Sequence, residues 1–406
     1  MRNSKLGMGM SAGDGTRRER WIRRSFPTIE DLRRRAQHRI PGFAFEYADC
    51  GVGLDQNVRV NRTALDAVEL VPRCGVDRED TSTEVALFGR RYAAPLGIAP
   101  MGLPSMIWPG AELALGKAAQ RARIPYTVGC VGGCAVERLG EVAGDVLWFQ
   151  LYRVARDDHK VGIDLVKRAE KAGAHVLVLT LDVPMRSKRP REMKNRLAVP
   201  FQPGARTIYE VITSPAWLMA LLRNGQPDFV NMAPYAGSGR GAIANFVTSE
   251  MGGSFTWDEV KRYRDVWKRP MVVKGIMHPD DAQQAINVGV DGIQVSNHGG
   301  RQFEAAPAAI DVLPAIAKAV GNKATLLFDS GVRSGIDVLR VLACGAKAAL
   351  AGRPFLYAVA ALGDDGADYV ADLLVEEIRT ALRQAGLHSS EEAGSLTVRH
   401  PGALHF

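Results

Sequence analysis

Residues 296–302 read Ser-Asn-His-Gly-Gly-Arg-Gln and follow Asp-Gly-Ile-Gln-Val, an apolar run of the kind that fills a buried strand. An ionisable ring, two residues without side chains and a guanidinium at a strand's end suit proton transfer beside a bound anion. An exposed histidine in a glycine turn would look the same in isolation. Other strand ends along the chain carry similar groups: Gln150 and Tyr152, Thr180 and Asp182, Lys274, Asp329 and Arg333, Gly352 and Arg353. His298 with a carboxylate on a neighbouring element suits general-base work, the carboxylate orienting the ring and stabilising its charged form. One lysine among polar groups suits an electron-rich cofactor ring that gains negative charge on reduction. Asp-Ser-Gly-Val-Arg-Ser-Gly (329–335) and Ala-Gly-Arg-Pro (351–354) supply glycine backbone and two arginines, the makings of a phosphate seat. Further arginines suit a substrate carboxylate held by a planar fork.

Something must bring these ends together. Short apolar runs occur at 94–100, 125–129, 147–152, 175–182, 270–275, 292–297, 325–331 and 349–352. Helical patterns lie between most of them, such as 110–123 and 162–173. Continuous rather than alternating apolar runs imply a parallel sheet buried on both faces. Eight strand–helix units favour a closed (β/α)8 TIM barrel of the α/β class, in which all these strand ends share one face. No Gly-x-Gly-x-x-Gly follows an early strand, which counts against an open dinucleotide-binding sheet.

The rest of the chain sets bounds. Its 406 residues are 46% hydrophobic, enough for one large barrel or two ordinary domains. The formal charge of +8 is concentrated: residues 1–40 hold 11 Lys and Arg against 4 Asp and Glu. That is a basic arm (1–25 expected to be flexible) rather than a nucleic-acid-binding fold. A helix capped at Thr28-Ile-Glu-Asp31 is expected to run to Pro41. Ile-Arg-Arg-Ser-Phe-Pro-Thr (22–28) faintly resembles a twin-arginine export signal, but a charged run follows it where an apolar one is required. Five scattered cysteines argue for a reducing compartment. Cys130 and Cys134 have no further metal ligand in sequence range, and no metal is expected. No segment approaches the ~20 apolar residues of a membrane span. Residues 183–255 form an abnormally long connection, with Pro-Ala-Trp-Leu-Met-Ala-Leu-Leu at 215–222 and a Gly/Ser-rich patch at 236–241. The apolar run is either a lid packed on the barrel or a segment lying in a membrane surface, with Trp217 at the interface.

Lys274-Gly275, 296–302, 329–335 and 351–354 together resemble the FMN-dependent 2-hydroxy-acid dehydrogenases and oxidases, over roughly residues 26–385. Ile-Ala-Pro-Met-Gly (98–102), Phe-Gln-Leu-Tyr (149–152) and Thr-x-Asp-x-Pro (180–184) fall in that family's order. The resemblance implies FMN and a small 2-hydroxy acid, lactate- or mandelate-like, oxidised to the 2-oxo acid. It implies that His298 takes the substrate proton, supported by Asp182. Tyr152 would bond the hydroxyl, and Arg189, Arg301 and Tyr47 would hold the carboxylate. The backbone of Ala99, Pro100, Met101 and Gly102, with Gly129, Gln150, Thr180, Lys274 and Ser296, would meet the flavin ring. Asp329, Ser330, Gly331, Arg333, Gly352 and Arg353 would wrap the ribityl phosphate. It also implies a homotetramer in the cytoplasm or on the inner face of the cell membrane, with oxygen or quinone as electron acceptor. A peptide-tailoring flavoenzyme like the mycofactocin maturation oxidase, or a silent flavin-binding barrel, would share most of these features. Four positions depart from the family: Gly129 stands for serine, Ser187 for glycine, Val131 for the tryptophan of glycolate oxidases, and Gly102 for the alanine of many oxidases. Residues 386–406 are left as a C-terminal tail.

Overall fold

The computed structural model describes residues 16–76, 80–197, 201, 203–238 and 241–406. Eight parallel strands close into a barrel: β1 Leu96–Ile98, β2 Tyr126–Gly129, β3 Leu147–Leu151, β4 Val176–Thr180, β5 Met271–Ile276, β6 Gly292–Val295, β7 Thr325–Phe328 and β8 Ala348–Ala351. They pair in chain order, and β8 closes onto β1 through Ala349–Leu96 and Ala351–Ile98. Nearly every strand residue is buried, because side chains on one face fill the barrel and those on the other meet the helices. All eight expected strands are present. Among the described residues two small antiparallel pairs are additional: Val85–Leu87 with Arg90–Tyr92, and Glu69–Val71 with Thr397–Arg399. Residues 386–406 are therefore not a loose tail. Their strand pairs with Glu69–Val71, and His400 reaches Asp311 at 3.0 Å.

Among the described residues, four helices precede the barrel: α1 Arg17–Ser25, α2 Ile29–Arg39, α3 Gly42–Asp49 and α4 Gln56–Asp66. Within the basic stretch, Thr16 forms a capping box with Glu19 at the start of α1. Ile22 is buried, and Arg18 and Arg23 pair with Asp365 and Glu376, so α1 is held to the long helix Asp364–Ala385. Residues 1–15 lie outside the described residues. The Thr28–Asp31 capping box forms as the spacing predicts.

The long connection after β4 is largely helical: α5 Pro190–Lys194, α6 Ala205–Ile212, α7 Pro215–Asn224 and α8 Ala242–Glu250. Trp217 is not an interfacial anchor. It is 3% exposed, its indole N–H bonds the Ile107 carbonyl at 3.0 Å, and its ring meets Phe43 edge-on. The opposite side is bare: Ile208, Tyr209 and Ile212 of α6 and Met219 and Leu222 of α7 are between 56% and 72% exposed. Gly239 and Arg240 of the Gly/Ser-rich patch lie outside the described residues.

Candidate active site

The loops leaving the strands' C-terminal ends surround a cavity of about 440 Å³. Its lining includes Tyr47, residues 99–102, Tyr152, Arg189, Lys274, His298, Arg301, residues 329–333, Gly352 and Arg353. Gly129, Gln150, Thr180, Asp182 and Ser296 stand behind this wall. Gln150 donates to the Thr180 hydroxyl at 2.9 Å inside the barrel. Gly129 has a local reason: a Cβ there would lie 3.1 Å from the Gln150 amide oxygen and 3.2 Å from the Met101 carbonyl.

His298, three residues past the end of β6, is in the left-handed region at φ 58, with Gly299 and Gly300 also at positive φ. This turn brings the ring's Nδ1 to 3.0 Å from the Asp182 carboxylate and its Nε2 to 3.4 Å from the Tyr152 hydroxyl. Gly275 makes room for the carboxylate, since a Cβ there would sit 2.5 Å from Asp182 Cβ. Burial drives the His298 ring's pKa below its ordinary value, more than Asp182 restores it. Burial alone would raise Asp182, but His298 and Lys274 outweigh it and hold the carboxyl below its usual range. The arrangement is a neutral imidazole with Nδ1 on a carboxylate and Nε2 toward the cavity, as a base needs.

Beneath the histidine, Lys274 donates to Ser296 at 2.9 Å, with Asp329 at 3.5 Å and Asp182 at 3.8 Å. Burial works against the ammonium, yet these two carboxylates keep its pKa raised, so a fixed positive charge points along the cavity floor. Ser330 accepts from the backbone N–H of Asn297 and Gly299, tying the β6 and β7 loops together. Asn297 is locked by Asn57 and Asn61 of α4 at 2.9 and 2.8 Å. That asparagine cluster was not foreseen, though two asparagines four residues apart on one helix face are its trace in sequence.

Tyr47 donates to the Gly102 carbonyl at 2.9 Å. Arg301 gives Nη1 to the carbonyls of Tyr47 and Cys50, both at 2.9 Å. Arg189 bonds the Arg301 carbonyl and the Gln302 side chain, both at 3.2 Å. The Ser187 hydroxyl lies 2.5 Å from the same carbonyl and 3.0 Å from Gln302. The serine in place of glycine thus props the arginine-bearing loop. Glu192, which contacts both arginines, is a second residue that motif reading passed over.

Arg333 and Arg353 also line the cavity, are buried, and have no ion-pair partner among the described residues; Arg353 donates instead to the carbonyls of Ala48, Gly299 and Cys50. Burial lowers both, Arg353 to about 10. Two desolvated guanidiniums with no internal anion, beside Gly331 and Gly352, fit a phosphate. Lys274 lines the same cavity. The residues therefore fit a phosphorylated, planar, electron-accepting cofactor. Among the described residues no cluster of His, Cys, Asp and Glu suits a metal, and Cys130 is a buried thiol pushed up to about 12 by burial.

Such a barrel, with this cavity at its strand ends, fits a flavin-dependent oxidoreductase. The chain belongs to the FMN-dependent dehydrogenase family, whose model matches residues 36–400, and its cofactor is FMN. It is 37% identical to a 4-hydroxymandelate oxidase of Amycolatopsis orientalis over 92% of this chain and 99% of that protein. It is 36% identical to an L-lactate dehydrogenase of Alcaligenes faecalis over 91% of this chain and 98% of that one. A crystal structure of mandelate oxidase superposes with a TM-score of 0.78 at 35% identity, covering 93% of this chain and 100% of that one. The monotopic membrane protein (S)-mandelate dehydrogenase superposes at 0.86 and 33% identity, covering 91% and 98%.

Proposed function

We propose that this protein oxidises an (S)-2-hydroxy acid with a side chain larger than glycolate's to the 2-oxo acid. The observation that carries the reading is one cavity lined by the Asp182-backed imidazole, the Tyr152 hydroxyl and two arginines. Arg189 and Arg301 hold the carboxylate and Tyr152 bonds the hydroxyl. His298 Nε2 takes the hydroxyl proton as the carbon gives up its hydrogen with the electron pair and the C–O bond becomes a carbonyl. FMN, when bound, supplies the acceptor for that hydride. Asp182 stabilises the imidazolium so formed. Met106, Val131, Leu197, Phe201, Phe229 and Met251 line the cavity's apolar part and suit an aromatic or branched side chain. Relatives acting on 4-hydroxymandelate and L-lactate support the same class. Anaerobic mixing of the yellow holoenzyme with a panel of 2-hydroxy acids, followed by flavin bleaching, tests it. Mandelate or lactate is expected to bleach faster than glycolate; glycolate as the best of the panel overturns the size argument.

We further propose that the bare face of α6 and α7 lies on a membrane surface and that a membrane quinone reoxidises the enzyme. Five exposed apolar side chains on adjacent helices support this, as does the likeness to a monotopic membrane protein. Among the described residues no helix is long and apolar enough to cross a membrane, so contact would be peripheral.

A further inference from the structure

Glu192 sits on α5, is 4% exposed, and lies between the two arginines assigned to the substrate. Its Oε1 accepts from Arg189 Nη1 at 3.0 Å and from Arg301 Nη2 at 2.8 Å. With Arg186 Nη2 also 3.9 Å from its Oε2, this buried carboxylate is well satisfied, so its presence alone needs no functional explanation. What it leaves open is informative. Arg301 spends Nη1 on two backbone carbonyls and one Nη2 proton on Glu192. Among the described residues its Nε–H has no acceptor. The Nε–H and the second Nη2 proton form the planar edge that fits a carboxylate, and Arg301 lines the cavity.

The two guanidiniums also repel. Burial and the neighbouring Arg301 charge both push Arg189 below its usual value, and Glu192 opposes them. Glu192 itself is set by structure that does not depend on substrate. Its neighbour Arg191 ties α5 to Asp49 and Asp55 at 2.8 Å and to Glu46, on and beside the helix that carries Tyr47. Pro190 starts α5, and the Leu197 N–H closes back onto the Glu192 carbonyl at 3.0 Å.

We propose that Glu192 is a positioning residue that aligns Arg189 and Arg301 for the substrate carboxylate. The proposal rests on the reading that these arginines hold an acid. It does not touch the reacting atoms, so its loss should act on carboxylate binding and spare a substrate without one. The test compares wild-type holoenzyme with Glu192→Gln, using calorimetric binding of benzoate, a carboxylate that cannot reduce flavin. The Gln variant is expected to keep FMN and bind benzoate at least about tenfold more weakly. The best acid of the panel should show a raised apparent Kd for flavin reduction with a smaller change in limiting rate. Its amide should change by less than about twofold. Glu192→Asp, which keeps the charge, should fall between and carries the test if the glutamine variant does not fold. Unchanged benzoate affinity overturns the proposal. Tighter binding also does, since Glu192 would then be a competing anion, and so does an equal loss for acid and amide, the mark of a merely structural role. Wild-type enzyme reducing as fast with the amide as with the acid would overturn the carboxylate clamp itself, and the proposal with it.

Discussion

In the proposed reaction His298 is the base, and its surroundings predict both a rate and a pH response. Its Nδ1 is committed to Asp182, and its Nε2, 3.4 Å from the Tyr152 hydroxyl, is the basic atom the proposed reaction would use. Replacing it with alanine should leave FMN bound and slow flavin reduction by ~10²–10⁴. Stopped-flow reduction measures this, and a near wild-type rate would remove the base assignment. The ring must be neutral to accept a proton. Burial lowers its pKa from the ordinary ~6.5. The reduction rate should therefore rise with pH through a value below that and be level at neutral pH. A rate still climbing above pH 7 would mean that another group is the base.

At the scale of elements, two junctions hold the site. The first is the approach of β5 to the β4 loop at Gly275, whose φ is +99. Gly275→Ala would put a methyl group within contact of Asp182 in a backbone region that disfavours side chains. Displacement of the carboxylate is expected to lower the reduction rate while FMN stays bound; an unchanged rate would show that Asp182 does not need its present place. The second is Asp49 at the end of α3, which meets Arg33, Arg191 and the Tyr357 hydroxyl. Burial would raise its carboxyl, but those three groups outweigh it and hold the pKa well below the carboxylate range. A depressed pKa stabilises the fold above the unfolded value of ~3.9 and ceases to do so as pH falls. Asp49→Asn should therefore cost about 3 kcal/mol or more at pH 7, with the gap to wild type narrowing below about pH 4. Denaturant titrations at the two pH values check the sign; a gap that widens in acid would contradict it.

For the whole molecule, the question is what covers the outer face of α6 and α7. Burial of Trp217 shows that the insertion is anchored to the barrel, so its exposed side chains are presented on a firm base. If that face meets lipid, Ile212→Glu combined with Leu222→Glu should abolish flotation with anionic liposomes and leave reduction by substrate intact. Reduced wild-type enzyme should then be reoxidised faster by a quinone than by oxygen. A wild-type protein that stays in the soluble fraction and prefers oxygen would instead be an oxidase with that face turned to water or to another subunit.

The strand–helix alternation, the closed barrel and the FMN family were legible in the sequence. Buried parallel strands need continuous apolar runs, and a flavin seat needs short contiguous motifs at their ends. The same locality made His298, Asp182, Lys274 and the arginines visible. Three things depended on the fold. Glu192, Asn57 and Asn61 belong to helices without motif character; Asn57 and Asn61 reach Asn297, and Glu192 reaches Arg301, across more than 100 residues of chain, although Glu192 also meets Arg189 three positions away. The basic stretch looks flexible in the sequence because its charges are conspicuous, whereas the burial of Ile22 and the ion pairs from Arg18 and Arg23 to the Asp364–Ala385 helix are not local properties. Trp217 carries the same side chain whether it faces lipid or protein. The packing of α7 against α3 and Ile107 turned it inward, because only the tertiary structure decides which side of an apolar helix finds a partner first.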